Sequence, residues 1–189
     1  MADNNNLSPA FSKVVPPGDD KPRDVCDSCG FVNYQNPKII TGVVAAFGDK
    51  ILLCRRAIEP RKGYWTLPAG YQELKESSKD GARREAMEEA GADVEVDQLL
   101  AIYEIPEASQ VMTIYRGRLK SPEIEAGPES MEVGLFAWDD IPWDQLAFPM
   151  VGEALNKYIK TKDQARVAPC HMRLFPYKSG QPPLPGVPM

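Results

Sequence analysis

The sequence contains little cysteine, and its four cysteines do not show the dense spacing of a secreted disulfide scaffold. Cys26 and Cys29 form one close pair, whereas Cys54 and Cys170 are distant single residues. No apolar run is long enough to span a bilayer, so we expect no transmembrane segment. The first residues lack a basic segment followed by an apolar run, so we expect no secretory signal peptide. These absences favour a cytoplasmic location.

An excess of positive charge is also absent. The chain has 22 Lys and Arg residues against 27 Asp and Glu residues, which gives a net charge of −5. Proteins that bind nucleic acids or anionic membranes generally need a basic surface. We therefore expect neither nucleic acid nor a membrane as a partner. Phosphate-bearing small molecules stay compatible with an acidic chain, because cations bound by carboxylates attract them.

The length of 189 residues, of which 43% are hydrophobic, is sufficient for one globular domain with extensions. Residues 1–22 are polar and contain several prolines, which predicts a mobile leader. Residues 23–38 contain the close cysteine pair, and residues 39–160 carry the apolar patterns of strands and helices. Residues 161–189 are rich in proline and lack periodicity, which predicts an extended tail. We find no internal repeat.

The stretch 70–92, GYQELKESSKDGARREAMEEAGA, predicts one helix that follows a glycine turn. Ser77, followed three residues later by Asp80, is typical of a helix start. Gly91 suits the left-handed position at which helices end. The small or apolar face that we expect to pack on a sheet comprises Ala86, Met87 and Ala90.

Three carboxylates share another face of this predicted helix. Glu88 and Glu89 lie about 60° and 40° to either side of Glu85 when each residue turns the helix by about 100°. Like charges at this spacing repel one another by about a few tenths of a kcal/mol per pair. A hard divalent cation reverses the sign of this interaction, because carboxylate oxygens are its preferred ligands. The alternative is an acidic helix that only faces solvent.

The rest of the apolar pattern predicts a sheet around this helix. Residues 39–47 and 51–56 are rich in β-branched residues and are separated by a short turn, which predicts a hairpin. Further predicted strands are residues 94–96, 98–105, 110–119 and 132–138, and the periodic segment 151–160 predicts a second, amphipathic helix.

The spacing within residues 70–92 also resembles a family signature. The pattern consists of Gly70, five residues, Glu76, seven residues and then Arg84-Glu85-Ala86-Met87-Glu88-Glu89-Ala90-Gly91-Ala92. It is similar to the Nudix box of the Nudix hydrolases, and every fixed position of that box is filled. The resemblance implies an α/β fold of the Nudix type, an α/β/α sandwich with a mixed sheet. It also implies metal-dependent hydrolysis of the pyrophosphate bond in a nucleoside diphosphate linked to another moiety.

The same resemblance implies roles for individual residues. Glu85, Glu88 and Glu89 would bind Mg²⁺ or Mn²⁺, and the carbonyl of Ala69 would face the metal. Arg84 would orient Glu85 rather than contact substrate, so that Glu88, Glu89 and Arg84 make up the catalytic part of the box.

The general base often lies outside the box in this family. The turn-rich acidic segment 127–132 precedes a predicted strand, and within it we favour Glu129 as the base. The alternative for Glu129 is a solvated turn residue.

Three residues are candidates for substrate binding. Arg55 and Arg56 would form an electropositive rim for phosphates, or alternatively belong to a solvated loop. Tyr103 would stack on a base or flavin, although a tyrosine in a strand is more often a core residue. The expected partner is a small-molecule nucleotide. A homodimer is an option that the sequence does not decide.

The N-terminal segment Cys26-Asp27-Ser28-Cys29-Gly30 has the shape of one zinc knuckle, whereas a structural zinc ion needs four ligands. With the following Tyr34-Gln35-Asn36-Pro37-Lys38, it resembles the second half of the zinc ribbon that some Nudix proteins carry. Cys26 and Cys29 are therefore possible zinc ligands, with Cys170 and His171 as distant additions. The alternative is a pair of free thiols.

The Tyr34-Gln35-Asn36-Pro37-Lys38 segment and the Gly127-Pro128-Glu129-Ser130 segment together resemble a branch that includes the FAD and ADP-ribose pyrophosphatases. The Ser-Gln-Pro-Trp-Pro-Phe-Pro motif of the NADH pyrophosphatases is absent, which disfavours NADH. Two alternatives stay open: hydrolysis of oxidised nucleoside triphosphates, and a nucleotide-binding regulator without turnover.

Overall fold

The computed structural model describes residues 10–174, which divide into two compact units between Pro37 and Lys38. The described part of the first unit is a three-stranded antiparallel sheet with the order β1-β2-β3. Its strands are β1 (Phe11–Val14), β2 (Arg23–Cys26) and β3 (Val32–Asn33).

Strand β1 corrects the prediction of a mobile leader through residue 22. Phe11 pairs with Cys26 and Val14 pairs with Arg23 in the antiparallel register. The turn between β1 and β2 is closed by Asp19, whose carboxylate accepts the backbone N–H of Asp20 at 2.8 Å and the Arg23 guanidinium at 2.8 Å. These local hydrogen bonds offset part of the conformational entropy that the segment loses on ordering. The composition alone does not indicate such bonds. Residues 1–9 of the predicted leader lie outside the described residues.

The second unit is built on one mixed sheet with the order β10-β5-β4-β9-β8-β11, to which two short strands add at β5 and β4. Strands β4 and β9 run parallel, as do β8 and β11, and the other neighbouring strands are antiparallel. Its strands are β4 (Lys38–Phe47), β5 (Lys50–Arg56), β6 (Trp65–Thr66), β7 (Ala69–Tyr71), β8 (Val94–Ile105), β9 (Gln110–Leu119), β10 (Ser130–Phe136) and β11 (Cys170–Arg173). Its α-helices are α1 (Ser78–Ala90) and α2 (Pro149–Thr161).

Apolar side chains cover both faces of this sheet. Successive residues of a strand point to opposite faces, and accordingly Val43 belongs to one core and Val44 to the other. The alanines of α1 pack in the first core, and Val151 and Leu155 of α2 pack in the second. The predicted α/β/α sandwich and the predicted hairpin of β4 and β5 are therefore confirmed.

Helix α1 begins and ends where the sequence predicts. The Ser77 hydroxyl accepts the backbone N–H of Asp80 at 3.1 Å, and Gly91 adopts the left-handed conformation with φ of 59°. The side chain of Met87 is 49% exposed, so its predicted place against the sheet is wrong. The buried face is formed instead by alanines at a spacing of four residues, Ala82, Ala86 and Ala90. Their small side chains allow the helix to lie close to the sheet.

Strand β11 corrects part of the predicted tail. Cys170 pairs with Ala101 and Arg173 pairs with Glu104, so β11 extends the sheet beside β8. The edge of β8 presents backbone groups that need partners, and β11 supplies them. Residues 175–189 of the predicted tail lie outside the described residues. Within the described range, neither 13-residue helix is long and apolar enough to cross a membrane.

Candidate active site

Strand β7 brings Gly70 against the carboxylate of Glu85. A Cβ atom built on Gly70 would overlap an oxygen of that carboxylate and would lie 2.5 Å from its carboxyl carbon. A glycine leaves room for the carboxylate at this position. Gly70 therefore lets the Glu85 carboxylate lie directly against strand β7.

Glu85 and Glu89 lie one helical turn apart, and their residues are only 7% and 8% exposed. The backbone N–H of Ala69 donates to Oε2 of Glu89 at 3.3 Å. Burial, followed by the charge of Glu85, raises the pKa of Glu89 to about 8, against the opposing effects of the Ala69 N–H and Arg56. Burial also raises the pKa of Glu85. Two buried carboxylates that repel each other are an environment that a hard cation stabilises.

Arg84 is bound on several sides by acceptors. Its Nε and Nη2 donate to the carboxylate of Glu76 at 3.1 and 2.8 Å, and Nη2 also donates to the carbonyl of Tyr71 at 3.0 Å. Its Nη1 donates to Glu85 at 2.7 Å and to Glu88 at 2.9 Å. The hydrogen bonds to Glu76, more than to the other two carboxylates, raise the pKa of Arg84. These contacts suit a residue that orients carboxylates.

The carboxylates open into a cavity of about 920 Å³ in the second unit. Charged side chains and apolar or aromatic side chains both contribute to its wall. The charged wall includes Arg56, Glu59, Glu73, Arg84, Glu85, Glu88, Glu89 and Glu129. The apolar and aromatic wall includes Ile40, Ile58, Tyr71, Ile105, Met112, Phe148 and Met150.

Glu129 and Arg56 reach the charged wall from outside α1. The charge of Glu129 contributes to the raised pKa values of both Glu85 and Glu89, so the three carboxylates face one volume. Burial lowers the pKa of Arg56, and the charges of Glu89, Glu129 and Glu59 oppose that shift. Arg56 donates from Nε to the carbonyl of Pro60 at 2.8 Å. Arg56 is therefore placed to face an anion in the cavity.

Two predicted substrate-binding residues lie elsewhere. Arg55 points away from the cavity, donates to the carbonyl of Gly63 at 2.9 Å and pairs with Glu132 at 3.3 Å. Successive side chains of a strand point to opposite faces of the sheet, so Arg55 and Arg56 of β5 lie on different faces. Tyr103 is fully buried in the core beneath α2, so the prediction that it stacks on substrate is wrong.

The sequence analysis missed the aromatic residues that do line the cavity, Tyr71 and Phe148. Lys38 Nζ lies 5.0 Å from the ring centroid of Tyr71, and Gln110 Nε2 donates to its hydroxyl at 3.2 Å. The Arg56 guanidinium lies 5.3 Å from the ring centroid of Phe148. The position of Tyr71 directly after Gly70 is the signal that could have identified it.

The carboxylates of α1 fit a cation that keeps several water ligands. Across residues 10–174, no three His, Cys, Asp or Glu side chains converge into a complete metal site. Mg²⁺ does not require one, since one or two carboxylates, waters and substrate phosphates are sufficient. Glu85 and Glu89 supply two such carboxylates. Glu88 is engaged with Arg84, and its side chain is 59% exposed.

The cysteine pair of the first unit forms a tight turn. Cys26 is buried and Cys29 is exposed, and the N–H of Gly30 donates to the carbonyl of Cys26 at 2.9 Å. Hydrogen bonds, first from the Ser28 hydroxyl and then from backbone N–H groups, lower the pKa of the Cys26 thiol to about 7. Two thiols supply half of a tetrahedral zinc site, and within the described residues no third ligand joins them.

Comparisons with known proteins agree with this geometry. A family model described as the NUDIX domain matches residues 37–156, and a second model, described as Nudix N-terminal and belonging to a zinc-ribbon family, matches residues 9–35. A crystal structure of a NUDIX hydrolase from Nitrosomonas europaea superposes with a TM-score of 0.83 and is 38% identical. The similarity covers 93% of this chain and all of that one.

Curated relatives are more distant. An ADP-ribose pyrophosphatase of Methanocaldococcus jannaschii is 29% identical over 119 residues, which are 61% of this chain and 69% of the relative. The NAD-capped RNA hydrolase NudC of Citrobacter koseri is 31% identical over 121 residues, which are 62% of this chain. The match spans only 46% of that relative's length.

We predict that the cysteine pair alone does not hold a stoichiometric structural zinc ion, because two of the four ligands are missing from residues 10–174. Elemental analysis of protein purified without chelators is expected to give well under one zinc per chain. One full equivalent of zinc, lost in Cys26→Ser but retained in the buried control Cys54→Ser, would contradict this prediction.

Proposed function

The chain belongs to the Nudix hydrolase family, and from this premise we propose that it hydrolyses the pyrophosphate bond of ADP-ribose or FAD. The predicted family, fold and enzyme class are confirmed by the domain match and by the structural relative. Divalent metal dependence is general to this family. The identity of the substrate and of the metal, for which we propose Mg²⁺ or Mn²⁺, belongs to the proposal.

One observation supports the proposal above the others. The buried carboxylates Glu85 and Glu89 open into the same cavity as an apolar and aromatic wall. The charged part suits a metal-bound diphosphate, and Tyr71 and Phe148 offer faces on which a planar base or flavin stacks. A dinucleotide-like substrate has both parts. A free inorganic diphosphate would leave the apolar wall without a partner.

A divalent ion held by Glu85 and Glu89 would neutralise diphosphate charge and lower the pKa of a bound water. Arg84 fixes the orientation of Glu85 and Glu88 through its contacts with Glu76. Arg56 faces the cavity as a cation and would pair with a phosphate oxygen.

Glu129 lines the same cavity as the carboxylates of α1 and would accept a proton from the attacking water. The bond between the water oxygen and phosphorus forms as the bridging P–O bond breaks. The products are AMP and the phosphorylated remainder of the substrate.

The relatives support a dinucleotide-type substrate to different degrees. The archaeal relative carries the name ADP-ribose pyrophosphatase, which favours ADP-ribose. The NudC relatives are named for NAD-capped RNA, but this chain spans less than half of their length and lacks the proline-rich NADH motif. The absence of a nucleic-acid partner, the homodimer and the cytoplasmic location remain predictions.

The proposed reaction is tested by identifying its products. With Mg²⁺ or Mn²⁺, we expect the purified full-length chain to release AMP from ADP-ribose or FAD, and no inorganic pyrophosphate. Oxidised and ordinary nucleoside triphosphates serve as comparison substrates, since their hydrolysis by the alternative activity releases pyrophosphate. If the chain releases pyrophosphate from a triphosphate faster than AMP from ADP-ribose or FAD, nucleoside triphosphates are the substrates instead. Nucleotide binding without hydrolysis would favour the regulator.

The role of the buried carboxylates is tested by Glu89→Gln. This change keeps the size of the side chain and removes its charge, so we expect kcat to fall by about 100-fold or more. Glu132→Gln is the matched control, because Glu132 is an exposed glutamate that pairs with Arg55 outside the cavity. Equal activity of the two variants would exclude Glu89 from the mechanism.

A further inference from the structure

We infer that Gly127 is a positioning residue, which sets the distance between Glu129 and the carboxylates of helix α1. The inference rests on the proposed function, in which Glu129 accepts the proton of the attacking water. It concerns the loop of residues 120–129, which connects β9 to β10 and carries Glu129 to the cavity.

The loop binds directly to the C-terminal turn of α1. The N–H of Gly127 donates to the carbonyl of Glu89 at 3.1 Å, and the N–H of Glu125 donates to the carbonyl of Ala90 at 2.8 Å. The last carbonyls of a helix have no partner within the helix, so the loop satisfies acceptors that would otherwise need water. The catalytic helix and the loop are therefore joined through backbone atoms, which cannot move as a flexible side chain does.

This contact is possible only for glycine. A Cβ atom on Gly127 would overlap the carbonyl oxygen of Glu88, and it would lie 2.9 Å from the Glu88 carbonyl carbon and 3.3 Å from the Glu89 Cα. All three atoms belong to the helix backbone, which is held on its other side by the buried alanines of α1. Any side chain at position 127 therefore displaces the loop rather than the helix.

The other end of the loop is fixed to the sheet. The N–H of Ala57, just beyond β5, donates to the carbonyl of Glu129 at 2.8 Å, and the N–H of Ser130 donates to the carbonyl of Gly127 at 3.0 Å. Ser130 is itself buried and begins strand β10, which pairs with β5. Glu129 thus lies between an attachment to the helix and an attachment to the sheet, and only Pro128 separates it from Gly127.

The inference is tested with Gly127→Ala, alone and combined with Glu129→Gln. A displacement near 1 Å at a reacting group costs on the order of 100-fold in rate, so we expect Gly127→Ala to lower kcat by about that factor. The KM for substrate and the Mg²⁺ concentration for half-maximal rate are expected to stay within about two-fold, because α1 and its carboxylates keep their places. In the Glu129→Gln background, Gly127→Ala is expected to cause no further loss, since its effect acts through Glu129.

Gly152→Ala is the matched control. Gly152 lies in helix α2, and a Cβ atom there meets only Leu146 at an ordinary 3.7 Å, so kcat should equal that of the unsubstituted chain. If Gly127→Ala fails to fold, Pro128→Gly replaces it, because a freer backbone beside Glu129 loosens the same position. The same lack of further loss in the Glu129→Gln background is then expected.

The outcomes separate this inference from the proposed function. A kcat for Gly127→Ala equal to that of Gly152→Ala would overturn the inference, as would losses that multiply in the double variant. In either case the activity of the unsubstituted chain and its loss in Glu129→Gln would leave the proposed function standing. Absence of hydrolysis by the unsubstituted chain, or full activity of Glu129→Gln, would instead reject the proposed function or the role of Glu129.

Discussion

The burial of two like charges on one helix is the constraint on which the rest of the structure depends. Glu85 and Glu89 are buried beside β7, although two carboxylates would be more stable in water. Burial raises the pKa of both, and the charge of Glu85 adds to the shift of Glu89. Gly70 leaves room for the Glu85 carboxylate, and the small alanines of the opposite helix face allow α1 to approach the sheet. Arg84 offsets part of the repulsion, and a divalent cation would offset the remainder.

The two faces of α1 therefore have separate tasks. The alanine face stabilises the fold by close packing, while the carboxylate face carries a local cost that a cation and a diphosphate would relieve. The C-terminal carbonyls of the same helix hold the loop that carries Glu129, so one helix sets the positions of Glu85, Glu88, Glu89 and Glu129. The apolar wall comes mainly from strands and from the start of α2, so elements other than α1 supply it.

The parts predicted from sequence are those set by local patterns. The ends of α1 follow from Ser77 and Gly91, and the shared face of the glutamates follows from helical geometry. Strands β1 and β11 were missed because their pairing depends on distant or loop-mediated partners rather than on their own composition. The sequence does not show which of the predicted substrate-binding residues Arg55, Arg56 and Tyr103 reach the cavity. Whether a strand residue reaches it depends on the strand register and on which face of the sheet the residue occupies.

The central claim, that Glu85 and Glu89 form a divalent cation site, is tested most directly by thermal unfolding with added Mg²⁺ or Mn²⁺ at constant ionic strength. At a cation concentration about 100 times the Kd, we expect Tm to rise by roughly 5–10 °C. The rise should be lost in Glu85→Gln and Glu89→Gln and retained in Glu132→Gln. An unchanged Tm in the unsubstituted chain, or an equal rise in all variants, would contradict the claim.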